Sequence, residues 1–125
     1  LCARALRFTR EADASHARVG LEAVLLRHAL GEPADGWVRE PEASGVMMIP
    51  IPRAGVFRRV DGVEAARAVH GIDDVAITTK ADQRVVPLPE GASYLGFIFA
   101  REKTPRKVEA ALRAAHSRLE FVIDP

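Results

Sequence analysis

GVMMIPIPRAGVFRRVDG, residues 45–62, decides how the second half of this chain is read. Val46 to Ile51 is an apolar run with strand composition, but Pro50 and Pro52 each remove a backbone donor and hold φ near −65°. Gly55 follows three residues after Pro52, and Gly55 to Val60 has strand composition again. The simplest expectation is a hairpin in which 55–60 returns along 46–51, with a stiff turn between them. Asp61 and Glu64 have the spacing of a capping box, which predicts a short helix over 62–70, closed by Gly71.

Working outward toward the C-terminus, IDDVAITT (72–79) reads as a strand and KADQ as a turn. RVVPLPEG (84–91) is an extended segment whose prolines forbid a central position. SYLGFIFA (93–100) is apolar at odd and even positions alike, which predicts a central strand covered on both faces. Thr104 and Pro105 are N-cap and first-turn residues of a helix. Val108, Ala111, Leu112 and Ala115 form its apolar stripe. LEFVI (119–123) reads as a last strand. The fold class expected for 45–125 is α+β, with one mixed, largely antiparallel sheet and two packed helices.

Toward the N-terminus the pattern weakens. Residues 1–8 alternate loosely and read as an edge strand, and TREADASHAR (9–18) as a mobile loop. In 19–33, Leu21, Val24, Leu25, His28 and Ala29 share one helical face, and Gly31 and Pro33 stop the helix. EPADGWVREPE (32–42) carries two prolines, a glycine and four acids and reads as a linker. The expected division is therefore 1–31, a linker at 32–44, and a compact unit at 45–125.

Composition excludes several functions. The 125 residues are 48% hydrophobic and 28% charged, with a formal net charge of +1, ordinary for a globular domain. No basic run interleaves with aromatics, so no nucleic-acid surface is expected. No apolar run approaches the roughly 20 residues of a membrane span, and no secretory signal is recognisable. Cys2 is the only cysteine, which excludes an intrachain disulfide and fits a reducing cytoplasm. The opening LCARALRF lacks a methionine and reads as the interior of a strand, so a fragment of a longer protein is expected.

Candidate chemistry is sparse. His16, His28, His70 and His116 have no metal-binding spacing; His28 falls on the apolar stripe, while His70 and His116 sit near helix ends as favourable dipole partners. Asp73 and Asp74 are adjacent in a strand and point to opposite faces unless a bulge intervenes. There is no nucleophile elbow and no glycine-rich phosphate loop, so no catalytic residue and no metal ligand is expected in 1–125. The cluster Arg53, Arg58 and Arg59 is the one binding candidate. Arg53, at the tip of a stiff turn, can clamp a carboxylate or phosphate through paired hydrogen bonds, or can simply keep the turn soluble. Arg58 and Arg59 alternate along a strand, so only one of them can share a face with the tip.

Several ordered segments resemble a known family. RVGLEAVLLRHALGEP (18–33) resembles the helix that closes the catalytic domain of ATP-grasp carboxylate–amine ligases, and LCARALRF (1–8) resembles the strand just downstream of that family's Glu-x-Asn-x-Arg-x-Gly-Gly region. MMIPIPRAGV (47–56), VPLPEGASYLGFIFA (86–100) and TPRKVEAALRAA (104–115) are similar to the C-terminal domain of L-amino-acid-ligase-type ATP-grasp proteins. The resemblance implies that 1–31 is the end of a catalytic domain and 45–125 an accessory C-terminal domain. It implies a parent enzyme that uses ATP and magnesium to phosphorylate a carboxylate, which an amine then attacks. The lid, phosphate-binding and metal-binding residues of that family would precede Leu1, so this chain alone is expected to be inactive and to hold neither ATP nor Mg. Its expected partners are the upstream catalytic domain and a small carboxylate or amine substrate contacted by Arg53. Dimerisation is left open. The alternative is an independent small-molecule-binding or oligomerisation module.

Overall fold

The computed structural model describes residues 5–13 and 17–125. Cys2, His16 and the first four residues of the expected N-terminal strand lie outside them. The described residues form an α+β fold of three antiparallel sheets, each of three strands, with helices α1 (Leu21–Ala29), α2 (Val63–Arg67) and α3 (Pro105–His116).

The central sheet has the order β4-β8-β6, where β4 is Ala43–Ile49, β8 Gly96–Glu102 and β6 Ile72–Ile77. The strand expected to be central is central. Ile98 and Ala100 of β8 are fully buried, and Phe99 on the opposite face is nearly so. Helix α3 lies across β4 and β8 with Val108, Ala111, Leu112 and Ala115 buried, the stripe read from spacing. Thr104 caps it, its hydroxyl accepting from the Lys107 amide at 3.4 Å. Gly45 lets the helix approach β4, for a Cβ there would lie 2.7 Å from Val108 Cγ1.

The expected hairpin is not formed. β5 (Gly55–Asp61) does not pair with β4 but forms a separate sheet, β7-β5-β9, with β7 at Arg84–Val85 and β9 at Glu120–Asp124. Residues 45–123 therefore make two sheets, not one. The reason lies in 50–54. Ile49 and Ile51 are both buried, so the chain is drawn through the core, and the prolines on either side of Ile51 supply no donors for a hairpin ladder. Both sheets contribute to one core, which joins Ile49, Val75, Leu95 and Ile98 to Ile51, Phe57, Val85 and Ile123.

The capping box also fails. The N-cap of α2 is Gly62, with φ +86° and no side-chain cap, while Asp61 still belongs to β5 and pairs with Arg59. A Cβ on Gly62 would lie 1.9 Å from the Arg118 carbonyl oxygen. Close backbone approach, not side-chain capping, sets this turn. Replacing Asp61 by alanine should therefore change stability by under about 0.5 kcal/mol. Gly62→Ala should cost about 1–2 kcal/mol from its left-handed φ alone. Urea denaturation of the two variants checks that ranking.

The third sheet, β2-β1-β3, uses β1 (Arg7–Arg10), β2 (Val19–Gly20) and β3 (Trp37–Arg39). A strand thus runs into the segment read as a loop, and another lies inside the segment read as a linker. The edge strand read at 1–8 is realised among the described residues only from Arg7, and it is the middle strand of this sheet and not an edge; β2 and β3 were missed because strands of two or three residues are too short to show a period. Helix α1 forms where expected, yet none of its residues is buried; His28 is exposed, and so are Leu25, Leu26 and Leu30. The small sheet beside it offers too little surface to cover the stripe.

Candidate functional site

Three features stand out. The first is a buried ionic knot between the N-terminal and central sheets. Glu40, just after β3, has a side chain only 5% exposed and forms an ion pair with Arg101 of β8. Arg18 approaches its other oxygen at 3.5 Å. Arg101 also donates through Nη2 to the Ala5 carbonyl at 2.8 Å and through Nε to Asp73 at 3.2 Å. Burial, and after it the neighbouring Arg7 and Arg18, push the Arg101 guanidinium below its ordinary pKa. Glu40 meets two cations, Arg101 and Arg18, so it works as a brace and not as a free acid or base.

The β6 strand carries the bulge that the adjacent aspartates required, a register shift between Ile72 and Asp74. It lets Asp73 reach Arg101 while Asp74 lies 3.7 Å from Arg67 and accepts from the Val75 amide. Neither is left to chelate. Among the described residues no three His, Cys, Asp or Glu side chains come together as a metal site. His70 pairs with Glu102 at 2.9 Å, and His116 packs near Phe121.

The second feature is the proline turn. Arg53 is exposed, and its guanidinium donates to the Ile123 carbonyl of β9. That bond anchors the side chain at the turn while using one of its five donors. Arg58 and Arg59 do not alternate as a regular strand requires. A bulge between Phe57 and Arg59 leaves both exposed, Arg58 bonded to Asp124 and Asp82, and Arg59 to Asp61. Of the three, Arg53 is the one without a carboxylate partner among the described residues.

The third feature is an open groove of about 650 Å³ between the outer edge of β4 and α3, floored by Ala43, Met47, Val108 and Leu112, with Arg39 and Lys103 at its rim. Sequence reading singled out Arg53 and did not anticipate the knot or the groove. Glu40 and Arg101 are 61 positions apart in sequence, and no local pattern couples them.

No helix among the described residues is long and apolar enough to cross a membrane. No curated protein matches the chain. The crystal structure of L-amino acid ligase from Bacillus licheniformis has the same fold, with a TM-score of 0.72 at 22% identity. The similarity covers 86% of this chain but 27% of that one, so this chain spans about a quarter of that protein's length. A family described as L-amino acid ligase C-terminal domain 2 matches residues 47–124, which take in both larger sheets, α2 and α3. The chain belongs to the L-amino acid ligase C-terminal domain 2 family.

Proposed function

We propose that this chain is the accessory C-terminal part of an ATP-dependent carboxylate–amine ligase that joins amino acids, and that it packs on an upstream catalytic portion and shapes its substrate site. The observation that carries the packing is helix α1. Leu25 and Leu26 of this short helix are 56% and 65% exposed, and Leu30 at its C-cap is 85% exposed. Three large apolar side chains left in water within residues 25–30 mark a surface that a partner covers. On this reading ATP and Mg are held by the upstream portion, the acyl-phosphate chemistry takes place there, and the whole enzyme works in the cytoplasm.

Arg53 is the residue proposed to meet substrate. Its hold on Ile123 fixes the guanidinium, so less side-chain entropy is lost when an anionic group arrives. In the longer ligase, Arg53→Ala should remove a charge-assisted pair of about 1.5–3 kcal/mol, which is tenfold or more in apparent affinity for the acid or amine substrate. The Michaelis constant for ATP should stay unchanged. Calorimetric titration of this chain with Mg-ATP should give no binding in the micromolar range. Micromolar ATP affinity here, or wild-type kinetics for Arg53→Ala, would overturn the respective part of the reading.

A further inference from the structure

The outer strands of the three sheets are guarded in different ways, with one exception. β2 and β7 have two residues each, and β3 has three, ending on Arg39. β6 carries a bulge and the paired charges Asp73 and Asp74. β9 begins with Glu120 and ends with Asp124, so antiparallel self-pairing about Val122 would set acid against acid. Short length, bulges and charge are the means by which sheets avoid adding a further strand. β4 has none of them. It is seven residues long, ASGVMMI, uncharged, and paired in register along its whole length with β8, its one strand partner among the described residues. Pro50 and Pro52 follow the ladder and so do not interrupt it.

We infer that β4 is a dimerisation edge, where two copies of this chain join by antiparallel pairing of β4 with β4 about Val46. The two three-stranded central sheets then become one of six strands. A two-fold axis makes any such contact self-complementary, and the uncharged strand sets no charge opposite another. Ala43 falls opposite Ile49 of the other copy, Ser44 opposite Met48, and Gly45 opposite Met47. Met48, 45% exposed, is then covered. The open groove beside Ala43, Ser44 and Met47 gives the incoming strand access to the edge and takes the Met47 side chain that arrives opposite Gly45. The rim lysine does not oppose this. Lys103 lies beyond the Ala43 end of β4, so the two copies' lysines are separated by the six-residue span of the strand, about 20 Å at ~3.3 Å per residue. That exceeds the screening length of about 8 Å at physiological salt. Helix α1 adjoins β1 and β2 of a different sheet, so its exposed face remains free for the upstream portion.

Sedimentation velocity of the full chain between about 1 and 100 µM tests the inference, together with two double variants. Ser44→Glu with Met48→Glu sets glutamate against glutamate twice across the axis. It should raise the dimer dissociation constant roughly tenfold or more, with unchanged far-UV circular dichroism. Ser44→Glu with Met48→Lys sets opposite charges against each other in the same register and should restore the dimer. A monomeric wild-type chain across this range overturns the inference. So does a dimer that survives the Glu/Glu change, or one that the Glu/Lys change does not restore.

Discussion

Replacing Glu40 with alanine should cost about 3–5 kcal/mol of folding stability, the largest loss expected from a single change in this chain. Its carboxylate is almost wholly withdrawn from water, as is most of the Arg101 side chain it faces. Removing it leaves a buried guanidinium beside Arg7 and Arg18, the two charges that already act against Arg101. Asp73 is half-exposed and reaches only Nε, so it cannot take over. The damage should be the orphaned charge and not the lost contact, which makes a second variant decisive. Glu40→Leu combined with Arg101→Met should recover most of the loss, because replacing both members of a buried pair by apolar residues is often neutral. Equilibrium denaturation in urea measures both. A single-variant loss under about 1 kcal/mol would show that water reaches the pair.

Ile98→Ala should cost about 2–5 kcal/mol. Ile98 is fully buried at the middle of the central strand, opposite Met47 on one side and Val75 on the other, on the sheet face that α3 covers. Neighbours held in two ladders cannot collapse into the space left, so the cavity term adds to the lost transfer energy. The midpoint of denaturation should fall while its slope stays the same. Leu26→Ala removes a side chain of the same volume and should cost under about 0.5 kcal/mol in this chain, because Leu26 is exposed. Equal losses at the two positions would contradict the reading of α1 as a surface kept for another body.

The two variants also separate the two tasks of this chain. The larger sheets, α2 and α3 hold a core of their own, and the family match covers this region. The N-terminal sheet and α1 are fastened to that core through Glu40, Arg101 and the Ala5 carbonyl, and they present leucines outward. On the proposed reading, one part supplies stability and the other the surface that meets the upstream portion, with the ionic knot between them.

The sequence by itself determined the elements whose signals are local. Thr104 and Pro105 start α3, its stripe at 108, 111, 112 and 115 is the buried face, and the two-sided apolar run at 93–100 is the central strand. Each of these rests on periodicity or capping within one turn or one strand. Tertiary structure alone decided what each element meets. β4 and β5 are neighbours in sequence and both pair elsewhere, because an apolar strand pattern states that a face will be buried and carries no address for its partner. β4 pairs with β8 and β5 with β9, while Ile49 and Ile51 both lie in the core. Asp61 and Glu64 had the spacing of a cap, but the backbone of Arg118 lies against Gly62 and the chain turns there through a left-handed glycine. The Glu40–Arg101 pair joins residues 61 positions apart; only folding brings them together, and only burial makes their charges matter.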